Sequence, residues 1–163
     1  MSARATDDAR VLEIWTQAQA ALRRFEHTGL TLDDLVVDHE PEDETGMFVD
    51  AIFKNVYQVA EEATNLDIDT MLEFPSYPWG QIRGMRNRVA HEYFSFDGRY
   101  LYDALTCGLP ELLGFCEEYA RRRGFELPDD RRLDALSASI AASALNGGSR
   151  NCHGHTSGRE ESR

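Results

Sequence analysis

Apolar residues return along this chain at the three- and four-residue steps of an α-helix, and no stretch shows the two-residue alternation of a strand. Val11, Trp15, Ala18, Leu22 and Phe25 mark the first such face, widened at its N-terminal end by Leu12 and Ile14. Thr6-Asp7-Asp8 reads as the start of that helix, because acids are favoured at the positive end of the helix dipole. Thr28-Gly29 reads as its end. Thr31 to Val37 predicts a short turn of helix. Residues 38–46 read as an acidic, turn-rich loop, either simply solvated or a docking surface for a basic partner. A second long helix is predicted from about Glu44 to Asn65, with Phe48, Ile52, Val56, Val59, Ala60 and Ala63 on one side. Asp67 to Phe74 predicts a short helix or turn.

Pro75 and Pro78 then punctuate the chain, and Pro78-Trp79 opens another helix that Phe96-Asp97-Gly98 breaks after Tyr93. Two last helical stretches follow, Arg99 to Cys107 and Pro110 to Arg123. Pro110 either kinks one continuous helix or begins a new one. Gly124 ends it. These elements predict an all-α fold, an antiparallel bundle of four to five helices with short connections. The expected domain covers residues 6–126. Residues 127–163 form an Ala/Ser/Gly-rich tail, with a weak extra helix over Leu133 to Leu145 and a disordered, flexible end at 146–163.

Composition narrows the partners. The chain has 163 residues, of which 42% are apolar, enough for one core. It carries 29 acidic residues against 17 basic ones, a formal net charge of -12. That balance excludes broad electrostatic binding to nucleic acid or an anionic membrane, so any nucleic-acid contact must be local. No apolar run is long enough to span a membrane and the N-terminus lacks a signal-peptide core, which predicts a cytoplasmic protein. Cys107, Cys116 and Cys152 have no metal-like spacing, and their odd number points to reduced, structural thiols.

Against this acidity, no acid occurs between Glu73 and Glu92, while Arg83, Arg86, Asn87, Arg88, His91 and Tyr93 crowd in or just beyond that interval. On a helix turning about 100° per residue, Ile82, Met85 and Val89 form one apolar stripe. Gly84, Asn87 and His91 fall opposite it, with Arg88 nearby. Arg86 lies off to one side and must reach around to act with His91. Asn87 and His91 are one turn apart. Gly84, on the same face, leaves space for another backbone or a ligand. His91 is either an ordinary surface or interface histidine or an acid–base group. Arginine's planar donors suit phosphate, and an imidazole exchanges protons at neutral pH. Together they suffice in principle for metal-free RNA cleavage, in which the ribose 2′-hydroxyl attacks its own phosphate while arginine stabilises the phosphorane charge. Tyr93 reads on the same geometry as a half-buried aromatic with a wet hydroxyl.

Arg86, four residues, His91-Glu92-Tyr93 spells Arg-x4-His-x-Tyr, which resembles the signature of the HepT-like branch of the HEPN superfamily, minimal ribonuclease toxins of bacteria and archaea. The whole block Pro78-Trp79-Gly80-Gln81-Ile82-Arg83-Gly84-Met85-Arg86-Asn87-Arg88-Val89-Ala90-His91-Glu92-Tyr93-Phe94 is similar to that branch's Pro-Trp…Gly-Met-Arg-Asn…His-Glu-Tyr-Phe segment. Upstream, Lys54 to Ala63 resembles the family's Asn-Leu-Glu-Ile-Ile-Gly-Glu-Ala helix, with Ala60 in place of the usual glycine. Downstream, Leu109-Pro110-Glu111-Leu112 resembles its Leu-Pro-x-Leu segment. Ser95 replaces the usual glycine after Tyr-Phe, and the tail has no family counterpart. The resemblance spans about residues 9–125.

It implies a homodimer in which two motif helices meet in a cleft and form composite sites. Arg86 and His91 would be catalytic, with Asn87, Arg83 and Arg88 supporting or binding phosphate. Glu61 would hold a motif arginine. Tyr93 would be the modification site, AMPylated by a minimal nucleotidyltransferase antitoxin of the MntA-like kind. No metal or other cofactor is expected. In the tail, Cys152-x-x-His155 with His153 offers two or three donors on a floppy segment and reads as incidental. A second class of function stays open: a non-catalytic helical adaptor, the substrate-binding companion of a nucleotidyltransferase.

Overall fold

The computed structural model describes residues 3–40, 42–91 and 97–128, with side chains for all of these except 3–5 and 89–91. The described residues are helical throughout their regular structure, with no strand. The helices are α1 (Ala3–Thr28), α2 (Leu32–Val36), α3 (Glu44–Thr64), α4 (Ile68–Glu73), α5 (Trp79–His91), α6 (Gly98–Asp103) and α7 (Leu109–Arg123). The tail, including the helix expected at Leu133 to Leu145 and the Cys152/His153/His155 group, lies outside the described residues.

α1 packs on α3 and on α7, and α3 in turn packs on α5. The polar pairs along the first two seams run in opposite senses. Arg10 Nη1 donates to Glu62 Oε2 at 2.7 Å, whereas Asn55 reaches Gln17 and Arg24 further along α1. Tyr119 donates to Asp8 Oδ1 at 2.8 Å, while Cys116 lies against the Val11 carbonyl. Both seams are therefore antiparallel, as expected for an all-α bundle. Val11, Ile14, Trp15, Ala18 and Leu22 of α1 and Ile52, Val56, Val59, Ala60 and Ala63 of α3 are buried in one core. Leu12 and Phe48, expected in those faces, are each 36% exposed. Leu12 lies about 100° round the wheel from Val11, on the side of exposed Thr16, and Phe48 stands one turn before buried Ile52.

The first acids play a different part from the one predicted. α1 already begins at Ala3, so Thr6-Asp7-Asp8 lies inside it. Buried Asp7 accepts the Asp67 backbone N–H at 3.2 Å and the Thr70 hydroxyl at 2.6 Å. It therefore satisfies unpaired donors at the start of α4 from a neighbouring helix. The 38–46 loop is likewise more than solvated chain. The His39 ring lies 2.6 Å from the Asp34 carbonyl and 2.8 Å from the Asp43 carboxylate, which itself caps α3.

Pro110 stands in the first turn of α7, which begins at Leu109, so of the two readings the one in which it begins a new helix holds. Between α6 and α7 the backbone runs through one turn of π-helix, Ala104–Gly108, in which the Leu109 N–H donates to the carbonyl of Ala104, five residues back. A prolyl ring in a regular helix crowds the carbonyl four residues earlier, and the wider turn just before Pro110 relieves that crowding. Helical backbone thus continues from α6 through the π-turn into α7. Gly124 ends it in the left-handed region, φ 74°. Beyond it Phe125 and Leu127 fold back onto the core, and Trp15 Nε1 donates to the Pro128 carbonyl at 3.1 Å. Cys116 is a buried free thiol, as expected, and Cys152 lies outside the described residues. The local burial of Cys116 pushes its thiol well above its ordinary range. No described helix is long and apolar enough to cross a membrane.

Candidate functional site

α5 holds three arginines and no acid, the reverse of the chain as a whole. Its position is set first at its N-terminal end. Trp79 Nε1 donates to the Phe74 carbonyl at 2.8 Å, and the Trp79 ring meets Phe115 edge-on at 4.9 Å between centroids. Phe115 also receives Phe74 at 5.2 Å and Tyr77 at 5.4 Å. The Tyr77 hydroxyl donates to Glu118 Oε2 at 3.0 Å. The Pro75–Pro78 turn is thus a plug of aromatic rings fastened to α7, from which α5 departs. Edge-to-face pairs add attraction beyond their burial, so the start of α5 has little freedom.

Further along, Ile82 and Met85, both half-buried, are the described side chains of α5 that pack against the core. This is the predicted stripe; the Val89 side chain lies outside the described residues. The second fixing point is polar. Arg86 Nε donates to Glu61 Oε2 at 2.8 Å, and its Nη2 faces Glu61 Oε1 at 3.4 Å. This is a two-pronged contact between α5 and α3, and planar guanidinium is suited to it. The pairing holds the Glu61 carboxyl below the usual carboxylate range and pushes the Arg86 guanidinium up. Arg86 Nη1 also lies 3.4 Å from Asn87 Oδ1. The expected partnership of Glu61 with a motif arginine is present, and the arginine is Arg86.

The remaining site residues stand at the surface. Arg83, Asn87 and Arg88 are exposed. A Cβ built on Gly84 or Gly80 meets nothing within 4 Å, so one side of α5 is open to approach. Arg88 stacks over the Tyr100 ring of α6, 4.6 Å from its centroid. His91 closes α5, one turn beyond Asn87 and three residues beyond Arg88. Arg86 and His91, five residues apart, fall on different sides of the helix, and Arg86 is turned toward α3. The structure therefore brings Arg86, Glu61 and Asn87 together and leaves Arg83 apart. Tyr93 lies outside the described residues. Sequence reasoning missed Tyr100 and the aromatic plug, since both are tertiary contacts with no spacing signal; only the Pro-Trp pair hinted at the latter.

The described residues form an all-α bundle in which one helix, α5, carries three arginines and no acid. The chain belongs to the Ribonuclease HepT-like family, whose sequence pattern matches residues 19–119. A protein of Caldanaerobacter subterraneus subsp. tengcongensis named "Putative RNase TTE0752" is similar to it, 26% identical over 84 residues, which cover 52% of this chain and 69% of that one. No solved structure matches the chain significantly.

Proposed function

We propose that this chain is an endoribonuclease that acts without a metal as the toxin of a toxin–antitoxin pair. The observation that carries the reading is the Glu61–Arg86 contact: a planar cation is set in position on the one acid-free helix, one turn or so from His91. Family membership and the relative's name support the reaction class. Arg86 binds the scissile phosphate and stabilises charge gathering on its oxygens, with Asn87, Arg83 and Arg88 contacting the flanking backbone. The imidazole of His91 takes the proton of the ribose 2′-hydroxyl as the 2′-oxygen bonds to phosphorus. The bond to the 5′-oxygen breaks, and a second imidazole returns a proton to that leaving oxygen.

Two features support a composite site built by two copies. Arg86 and His91 are five residues apart and so occupy offset positions around one helix, and a Cβ on Gly84 would meet nothing within 4 Å, which leaves room for a second backbone. The acidic remainder of the surface disfavours long RNA and favours a small, shaped target such as a tRNA loop. Neutralisation follows from AMPylation of Tyr93 by a nucleotidyltransferase antitoxin, since an adenylyl group adds bulk and negative charge beside the arginines.

Expression of the chain alone, beside His91→Ala and Arg86→Ala versions, tests this reading. Growth arrest with cut RNA, abolished by both substitutions, is the expected result. Folded wild-type protein that is free of AMP by mass spectrometry, and yet leaves growth and RNA intact, would overturn it in favour of the adaptor.

A further inference from the structure

Glu61 fixes Arg86, and something must in turn fix Glu61. The last torsion of a glutamate side chain, which sets the plane of its carboxylate, is broad. Glu61 is only half-buried, so packing alone does not choose that plane. Its neighbours on α3 do. Tyr57 and Asn65 stand one turn before it and one turn after it, on the same face of the helix. Asn65 Nδ2 donates to Glu61 Oε1 at 3.4 Å, and the hydroxyl of half-buried Tyr57 donates to the same carboxylate. Asn65 is itself anchored as the C-cap of α3, where its backbone N–H bonds to the Glu61 and Glu62 carbonyls at 3.2 Å.

A carboxylate has about four lone-pair sites to offer. At Glu61 the donors are Arg86 Nε at 2.8 Å, Arg86 Nη2 at 3.4 Å, Asn65 Nδ2 and the Tyr57 hydroxyl. A carboxylate supplied with donors on every site has one favoured orientation and little tendency to take up a proton, so it suits holding better than acting as a base. The consequence falls on Arg86. Glu61 occupies the edge of the guanidinium made by Nε and Nη2. The end made by Nη1 and the second Nη2 hydrogen is not spent on Glu61, and its Nη1 lies 3.4 Å from Asn87 Oδ1. That end is a two-pronged donor of the kind phosphate accepts. A swing of the Glu61 carboxylate would swing it too.

We propose that Tyr57 and Asn65 are positioning residues of the cleavage site: from the turns on either side of Glu61 they fix its carboxylate in the plane that holds Arg86 ready for the scissile phosphate. This rests on the ribonuclease reading above. Both residues act through Glu61, so their effect lies in the rate of the chemical step rather than in substrate binding.

The test takes the full chain with Tyr57→Phe and Asn65→Ala, each alone and each combined with Glu61→Ala. Tyr57→Phe removes one hydroxyl and keeps the ring; it carries the test by itself if Asn65→Ala frays the end of α3. Each single variant should lower kcat on a single-stranded RNA oligonucleotide about threefold, the effect of one lost hydrogen bond, with KM unchanged. Combined with Glu61→Ala, neither should lower it further, because nothing is left for it to hold. NMR titration of the Glu61 side-chain carboxyl carbon reads the same link without RNA. Bonds from Arg86, and then from Asn65 and Tyr57, hold this carboxyl below its ordinary range against the opposing effect of burial. Loss of either neighbour should therefore move its midpoint upward. Losses that persist in the Glu61→Ala background, a raised KM at unchanged kcat, or a Glu61 midpoint that stays in place overturns the positioning role. If wild-type protein cleaves RNA and the variants match it in kcat, the positioning role falls alone. If folded wild-type protein does not cleave RNA, the ribonuclease reading falls and takes the positioning role with it.

Discussion

α3 and α5 lie side by side and are built on opposite plans. α3 buries Ile52, Val56, Val59, Ala60 and Ala63 along one unbroken face, and its place is determined by apolar area. α5 buries no described side chain fully, and lays only Ile82, Met85 and Trp79 against the core. It is held at two points instead, by the aromatic plug at its start and by Glu61 in its middle. A helix held in this way keeps most of its circumference available. The difference is that between a helix whose residues serve the core and one whose described side chains are left largely at the surface, with few contacts doing the positioning.

The largest effect should come from breaking the plug. Phe115 is fully buried and touches Phe74, Tyr77, Trp79 and Tyr119. Phe115→Ala is expected to cost about 3–5 kcal/mol of stability, the usual range for a core phenylalanine. Urea unfolding measures it. If α5 is positioned through this plug, activity per folded molecule also falls; a destabilised but fully active variant would show that α5 finds its place without it.

Gly98→Ala should come next. The added methyl would meet the Leu35 carbonyl and the Val36 backbone nitrogen, neither of which can rotate away. α6 must shift from α2, at an expected cost of about 1–3 kcal/mol, the range for overpacking. A melting temperature equal to wild type would mean that the two helices are less tightly apposed than described.

Glu61→Gln separates stability from function. Both Glu61 and Arg86 keep roughly a third of their side-chain surface in water, so solvent screens the pair and it adds little to folding. Its effect on Arg86 should be greater, because a misplaced charge stabiliser loses rate: kcat is expected to fall about tenfold with KM little changed. Combined with Arg86→Ala, Glu61→Gln should add almost nothing, since the two act as one unit. Additive losses in that double-mutant cycle would assign Glu61 a separate role. The Glu61 carboxyl is held below the ordinary glutamate range by its bond from Arg86. Its contribution is therefore present above that range and lost only as pH falls through the lowered value.

The two plans also explain what was legible in advance. The α1 and α3 faces show in the sequence because burial over many turns leaves a periodic trace, and Val11, Trp15, Ala18, Leu22, Ile52, Val56, Val59, Ala60 and Ala63 follow it. Departures occur where a single contact overrides the pattern. Asp7 has the composition of a helix start but caps a different helix, 60 residues away in sequence. Pro110 opens α7, as one of its two readings has it, but the wide turn just before it has no spacing signal. At the site, the residue types in α5 announced anion chemistry, and the partnership of Glu61 with Arg86 followed the family resemblance. Tyr100 announced nothing, because its proximity to Arg88 exists only once α6 is folded against its neighbours.

The smallest expected effect separates the pH response of the scaffold from that of the site. Both His39 nitrogens face acceptors, the Asp34 carbonyl at 2.6 Å and Asp43 Oδ2 at 2.8 Å, so the protonated ring satisfies both and the neutral ring only one. The Asp34 carbonyl contact raises the His39 pKa above its ordinary 6.5, with the Asp43 carboxylate adding to it against the effect of burial. A raised folded pKa means that the stability it contributes is fully present below about pH 6.5 and is lost as pH rises through the folded value. The loss should be about a few tenths of a kcal/mol, as for other partly exposed pairs. Urea midpoints at pH 6 and pH 9 should show it in wild type and show less of it in His39→Gln. The pH profile of RNA cleavage should be the same in both proteins, because no described contact links His39 to α5. A cleavage profile that moved with His39→Gln would couple the α2–α3 loop to the site and break the division between the helix that packs and the helix that binds.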